Sequence, residues 1–128
     1  MLHIKRENQP VRMQPGRKCH NAVTPQDKED SAGLMAAFAE FSYKYGVMDT
    51  HYHQNEYMYI IDAHNAVVKH GFDLDNLVTE TLHPGEIIRP VNGEWHRFDF
   101  ISDDGYVDFL NFFAEFPPVV VNAADLKK

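Results

Sequence analysis

Four side chains of this 128-residue chain have the types and the spacing of a metal site. His51 and His53 are separated by one residue, Glu56 follows three positions later, and His96 lies about forty residues downstream. In a β-strand, the side chains at positions i and i+2 point to the same face, so the first two imidazoles are expected to share one face. Imidazole and carboxylate ligands suit several transition metals and do not select one of them. The pattern therefore predicts one divalent ion, with Fe, Zn, Ni or Mn as candidates.

The role of Glu56 depends on the backbone between it and His53. If the strand continues regularly, the face that carries His53 also carries Asn55, Tyr57 and Tyr59, and Glu56 points the other way. A bulge or a turn after His53 resets the alternation and brings the carboxylate to the histidines. We favour Glu56 as the fourth ligand. The alternative is a three-histidine site with Asn55 or Tyr57 nearby.

A second segment of the chain places the last histidine in a recognisable motif. Gly85 is followed by Pro90, Gly93 and His96, with a strand-like stretch after the first glycine. This pattern resembles the second motif of the cupin superfamily, with the proline one place early. Residues 51–63 resemble the first cupin motif, with a shorter interval before the carboxylate. The resemblance covers roughly residues 40–115, most of the chain.

The resemblance implies a fold and a range of functions. It implies an all-β protein, an antiparallel jelly-roll β-barrel of one domain, with His51, His53, Glu56 and His96 as metal ligands. The expected function is a metal-dependent enzyme that acts on a small polar substrate of sugar or carboxylate type. The reaction class, whether isomerase, lyase or dioxygenase, stays open, because fold does not choose among activities. The alternative is a non-catalytic cupin that binds or senses a small molecule.

Four further residues are candidates for the surroundings of the metal. Asp49 has the same strand parity as the first two histidines, so its carboxylate is a candidate to accept the second N–H of a ligating imidazole. Tyr57, Tyr59 and Arg89 are candidates to line a substrate pocket. Arg89 is the cation we favour for an anionic substrate, because Arg97 neighbours a ligand and therefore points to the opposite face of a regular strand.

Short strand candidates with regular spacing position these residues. From residue 34 onward, stretches with alternating or apolar residues are separated by turn signals such as His83-Pro84-Gly85 and Asn92-Gly93. Residues 34–45 are rich in alanine, but their aromatic residues alternate, which indicates a strand. We expect an N-terminal arm with little regular structure at 1–33, the barrel at 34–121, and a C-terminal tail at 122–128.

Composition excludes some classes of function. The net charge is −7 and no long basic run is present, which argues against a nucleic-acid partner. The single cysteine, Cys19, cannot form an intramolecular disulfide, and no apolar run reaches the length of a membrane span. We expect a cytoplasmic protein without a membrane partner, whose ligand or substrate is a small molecule. We also expect a homodimer, since twofold pairing is the commonest assembly.

Overall fold

Eleven β-strands and three short 3-10 helices make up the chain in a computed structural model that describes residues 1–24, 31–114 and 118–127. The strands are β1 Val11–Gln14, β2 Arg17–Val23, β3 Met35–Phe41, β4 His51–Tyr52, β5 Glu56–His64, β6 Ala66–Gly71, β7 Val78–Thr81, β8 Ile87–Ile88, β9 Trp95–Phe100, β10 Tyr106–Phe113 and β11 Val121–Asn122. The 3-10 helices are Arg6–Asn8, Tyr43–Tyr45 and Ala123–Lys127. Among the described residues, no helix is both long enough and apolar enough to span a bilayer.

The strands form two antiparallel sheets with the crossover connections of a jelly roll. The larger sheet has the order β1-β2-β3-β10-β5-β8, and the smaller one has the order β11-β4-β9-β6-β7. The all-β jelly-roll fold expected from the sequence is therefore confirmed. Strand β10 joins the two halves of the larger sheet, because it pairs with β3 on one side and with β5 on the other.

The alternation of buried and exposed residues along β3 explains why an alanine-rich stretch is a strand. Met35, Ala37, Ala39 and Phe41 are buried, and the residues between them are half-buried. This period of two is the pattern of a strand with one face on a core. The strand predicted within residues 34–45 is present, and it pairs in register with β10.

The hydrophobic core lies between the two sheets. Phe41 and Phe109 of the larger sheet stack with ring centroids 5.3 Å apart, and Phe98 of the smaller sheet lies 4.9 Å from the first ring and 5.4 Å from the second. Each buried phenyl group contributes about 1.5–3 kcal/mol through removal of apolar surface from water. This aromatic cluster holds the sheets together next to the histidines.

The structure differs from the expectation of little regular structure before residue 34. Strands β1 and β2 form a hairpin, and β2 pairs along the edge of β3. The segment is polar because one face of this hairpin meets solvent and the other lines a cavity. Both faces therefore carry charged residues, and the sequence lacks the alternation of apolar and polar residues that marks a strand. Residues 25–30 of the expected arm and Lys128 of the expected tail lie outside the described part of the chain.

Candidate metal centre and its cavity

Three histidine side chains converge at the inner face of the smaller sheet. His51 of β4 and His96 of β9 are directly paired across the two strands, and His53 follows two residues after the first. The three ring centroids lie 4.6–5.1 Å apart, and one ring nitrogen of each lies within 4.8 Å of the others. All three residues are buried. An ion with bonds of about 2.1 Å accepts ligand atoms up to about 4.2 Å apart, so at most a small inward rotation of the rings is needed.

Backbone carbonyls fix the tautomer of two of these rings. Nδ1 of His51 lies 3.0 Å from the carbonyl oxygen of Asp49, and Nδ1 of His96 lies 2.9 Å from the carbonyl oxygen of Glu94. A carbonyl oxygen only accepts, so in each pair Nδ1–H is the donor and Nε2 keeps its lone pair. Metal-ligating histidines are commonly oriented through such a contact of the second nitrogen.

Burial keeps the imidazoles neutral. Loss of hydration, followed by the charge of His96, lowers the pKa of His51 to about 3. Loss of hydration, with the charges of His96 and His51, lowers the pKa of His53 to about 2. Burial also lowers the pKa of His96. Three neutral imidazoles are therefore present at physiological pH, which is the protonation state that metal binding requires.

Glu56 lies beside the histidines because the backbone turns at Asn55. Asn55 has a φ of 60°, and this left-handed residue interrupts the strand, so β5 begins with Glu56 facing inward. The turn is tied to the second motif: the N–H of Asn55 donates to Oδ1 of Asn92 at 2.9 Å. The reset of strand parity that we anticipated after His53 is thus present in the backbone.

The carboxyl group of Glu56 is buried with one oxygen unsatisfied. Its Oε2 accepts a hydrogen bond from Nδ2 of Asn111 at 2.9 Å, whereas Oε1 lies 3.3 Å from Nε2 of His53 without a hydrogen bond. Burial raises the pKa of Glu56 to about 8, partly offset by the Asn111 amide and the charge of Arg17. Among the described residues, Nδ1 of His53 also has no hydrogen-bond partner. Buried polar atoms without partners are costly, and a cation beside the imidazoles would give the free oxygen of Glu56 a partner.

The histidines lie at one side of a cavity of about 660 Å³ between the two sheets. Its inner wall is apolar and includes the phenyl groups of Phe41, Phe98 and Phe109, together with Met48 and Met58. Residues of the N-terminal hairpin and of the C-terminal segment, which ends in the last 3-10 helix, line its outer part. A volume of this size suits a small molecule.

Arg17 is one of the cavity residues that sequence reasoning missed. It lies on β2, lines the cavity, and sits over the ring of Phe41, 5.5 Å from guanidinium carbon to ring centroid. Arg12 of β1 lines the same cavity nearer to solvent. The signal that identifies them is the Pro15-Gly16 pair, which marks a tight turn between two short polar strands.

The residues predicted to line a substrate pocket lie elsewhere. Tyr57 and Tyr59 are 54% and 44% exposed on the outer face of β5, because the turn at Asn55 sends every second residue after Glu56 outward. Arg89 donates to the carbonyl of Pro90 at 2.9 Å and borders a separate cavity of about 150 Å³. These three side chains are not among those that line the larger cavity.

Asp49 contacts a histidine through its backbone and not through its carboxylate. Its carbonyl oxygen accepts the hydrogen bond from His51, and its carboxylate oxygen Oδ2 accepts from the N–H of Ala124 at 3.3 Å. The predicted support for a ligating imidazole is therefore supplied by the main chain. The carboxylate instead ties the C-terminal 3-10 helix to the rim of the cavity.

Comparison with known proteins identifies the fold. No family model and no curated protein matches the sequence. Among solved structures, a mutant of the Bacillus subtilis oxalate decarboxylase superimposes with a TM-score of 0.72 at 18% identity, over 94% of this chain and 32% of that one. The Lactobacillus farciminis oxalate decarboxylase gives 0.70 at 15% identity, over 94% and 35%.

Hydroxypropylphosphonic acid epoxidase from S. wedmorenis gives a TM-score of 0.66 at 12% identity, over 88% of this chain and 59% of that one. The chain thus spans about a third of the length of the decarboxylases and about three fifths of the epoxidase. At these identities the likeness concerns the fold. The resemblance to the cupins predicted from the two sequence motifs is confirmed, and the chain has the cupin jelly-roll fold.

Proposed function

We propose that His51, His53, Glu56 and His96 bind one divalent transition metal. The observation that carries this proposal is the convergence of three neutral imidazoles on one point, with an unsatisfied carboxyl oxygen 3.3 Å from the second of them. A set of nitrogen ligands with one carboxylate oxygen suits Fe, Zn, Ni or Mn. Four protein ligands leave positions open for water or substrate on an ion that takes six.

We further propose that the protein is a metal-dependent enzyme for a small polar substrate. The cavity beside the histidines supports this, because it is large enough for a small molecule and its lining combines apolar side chains with polar and charged ones. Two of the similar structures are enzymes named for oxalate decarboxylation and for epoxidation, and the epoxidase has been solved in an Fe(II) form. A bound ion in such a site supplies Lewis-acid polarisation of a carbonyl or stabilisation of an enediolate.

The test is turnover by protein reloaded with single metals. Metal-stripped protein receives Fe(II), Mn(II), Ni(II) or Zn(II), and each form is incubated with a panel of small carboxylic acids and sugars. Oxygen uptake, carbon dioxide release and product spectra are followed together. We expect one metal to support turnover that the His51→Ala and His53→Ala double variant lacks. Oxygen uptake would indicate a dioxygenase, and turnover without it an isomerase or lyase. If every loaded form binds small molecules and converts none, the protein is a binding module and the enzyme proposal fails.

We also propose that the protein is a cytoplasmic homodimer. The cysteine Cys19 is free and buried, which suits a reducing compartment. Large apolar side chains lie exposed on the outer face of the larger sheet, where Tyr59 pairs in register with Ile87 and Tyr57 pairs with Phe112. Contiguous exposed apolar surface of this kind is typical of a protein interface.

A further inference from the structure

The N-terminal hairpin holds Arg17 at the cavity through its turn. Gln14 and Arg17 are paired at the end of β1 and β2, with Pro15 and Gly16 between them. The N–H of Gly16 donates to the carbonyl of Tyr45 at 2.8 Å, and its carbonyl accepts from the N–H of Ser42 at 3.2 Å. The turn is therefore attached to the segment that leads into the first metal motif, and the residue after it has a fixed direction.

Arg17 is a half-buried cation without a carboxylate partner among the described residues. Its Nε donates to the side-chain oxygen of Gln14, and no described carboxylate forms an ion pair with it. Other arginines are paired: Arg6 contacts Asp108 at 2.8 Å, and Arg97 contacts Asp99 at 3.0 Å. A charge that is partly removed from water is stabilised by an anionic partner, and a guanidinium carries further N–H donors beyond the one given to Gln14.

The guanidinium lies within electrostatic reach of the metal ligands. Burial and the neighbouring histidine charges are the larger causes of the lowered pKa of His51 and His53, and the charge of Arg17 adds to them. Burial is the larger cause of the raised pKa of Glu56, and the Asn111 amide and then the charge of Arg17 oppose it. The carboxyl groups that line the cavity are Glu56, Asp49 and Asp125. Glu56 is beside the histidines, and the carboxylate of Asp49 accepts a hydrogen bond from a backbone N–H of the C-terminal 3-10 helix.

We propose that Arg17 binds a carboxylate group of the substrate and so restricts the substrate class to small carboxylic acids. This rests on the proposed metal site, because the rest of the substrate is taken to face the ion. The planar guanidinium matches a carboxylate through two parallel N–H···O contacts, a geometry that a neutral sugar does not reproduce. Arg12, on the same inner face at the rim, adds a second positive charge on the path of entry.

The test compares the binding of malonate with that of its neutral diamide, malonamide. Calorimetric titrations use cobalt-loaded and metal-free protein, each as wild type, Arg17→Gln, Arg17→Lys and Lys18→Gln. Lys18 is the matched control, since it is the next residue of β2 and points to the opposite face. Wild type is expected to bind malonate and not malonamide. Arg17→Gln is expected to weaken malonate binding about 10- to 100-fold, the loss typical of a charged hydrogen-bonded pair, with Arg17→Lys in between.

Cobalt content and the visible spectrum of the bound cobalt show whether the metal site is unchanged in the variants. The inference is overturned if cobalt-loaded Arg17→Gln binds malonate as tightly as wild type, or if malonamide binds as tightly as malonate. If wild type binds no cobalt, the metal proposal fails by itself. The metal-free titrations then decide about Arg17. Its role is supported if wild type binds malonate, Arg17→Gln loses this binding and Lys18→Gln keeps it. It is overturned if Arg17→Gln binds malonate as tightly as wild type, or if wild type does not bind malonate.

Discussion

At the scale of single residues, the site is built from groups whose ordinary charges are suppressed by burial. The imidazoles of His51 and His53 have their pKa lowered to about 3 and about 2, chiefly by loss of hydration, whereas burial raises the pKa of Glu56 to about 8. All of these shifts favour the neutral form. A divalent ion would favour the ionised form of the Glu56 carboxyl group over the protonated form, because the positive charge stabilises a neighbouring carboxylate.

The affinity for metal is therefore expected to depend on pH through Glu56. In metal-free protein at pH 7 the carboxyl group is mostly protonated, since its pKa is about 8. Binding an ion should release close to one proton, and the affinity should rise about tenfold per pH unit up to about pH 8 and then level off. The histidines contribute little here because they are already neutral. Titration calorimetry with Mn²⁺ in buffers of different ionisation enthalpy measures the proton release.

The matched variant for this prediction is Glu56→Gln. It keeps the volume of the side chain but has no proton to lose, so proton release and pH dependence should both disappear between about pH 6 and pH 9, and Mn²⁺ should bind more weakly. Proton release by the variant that equals the wild-type value would show that another group titrates. Unchanged Mn²⁺ affinity would show that Glu56 is not a ligand.

The sequence identifies some of these residues more readily than others. The spacing of His51 and His53 needs only the two-residue period of a strand, and the glycine-rich second motif marks His96. The inward position of Glu56 depends on the positive φ of Asn55. The two-residue interval between His53 and Glu56 permits this backbone conformation but does not require it. Arg17 was not found, because the Pro15-Gly16 turn signal marks a hairpin but does not show that one face of this hairpin lines the cavity.

At the scale of elements, the β1–β2 hairpin contributes to the site in a way that the sequence pattern does not show. Gly16 has a φ of 81°, and a Cβ at this position would lie 2.9 Å from the backbone nitrogen of Met48. Only glycine accepts both the left-handed backbone and this close approach. Met48 lies three residues before His51, so the hairpin turn packs against the start of the first metal motif.

We expect Gly16→Ala to destabilise the fold more than a substitution that introduces backbone strain alone. The conformational penalty for a left-handed alanine is about 1–2 kcal/mol, and the contact with Met48 adds to it. A total loss of about 2–4 kcal/mol in the free energy of unfolding is expected from urea denaturation. The control is Gly93→Ala, since Gly93 has a φ of 84° and no atom near the new Cβ. Equal losses in the two variants would contradict the close approach.

Most strands of the molecule follow from alternation and turn signals, and the exceptions have a physical cause. The β3 and β5 alternations are visible in the sequence, and the glycines at 85 and 93 have the positive φ expected of turn residues. Strands β1 and β2 are hidden, because charged residues on both of their faces remove the contrast that alternation needs. The charged residues of their inner face, Arg12 and Arg17, line the cavity.

At the scale of the whole molecule, apolar side chains on the outer face of the larger sheet are exposed in the described part of the chain. Tyr57, Tyr59, Ile61 and Ile87 are 40–66% exposed there. A second copy of the chain would remove this apolar surface from water. The two-sheet core and the cavity lie on the opposite face of the same sheet, so the interface can be altered without contact with the metal ligands.

We expect Ile87→Lys to convert a dimer into a monomer and to leave metal binding unchanged. A lysine in the middle of an apolar interface places an unpaired charge where it loses hydration. Sedimentation velocity at micromolar concentration measures the mass, and Ile101→Lys is the control, because Ile101 is 71% exposed on a different part of the surface. A wild-type monomer, or a variant that dimerises as wild type does, would contradict the proposed interface.

The central claim is that His51, His53 and His96, with Glu56, hold one metal ion inside the jelly roll. The most direct measurement is elemental analysis of protein purified from metal-replete culture, for wild type and for the His51→Ala and His53→Ala double variant, with circular dichroism to verify the β-fold of both. The account predicts about one transition-metal ion per wild-type chain and none in the folded double variant. Wild-type protein without metal, or a double variant that retains the wild-type content, would contradict it.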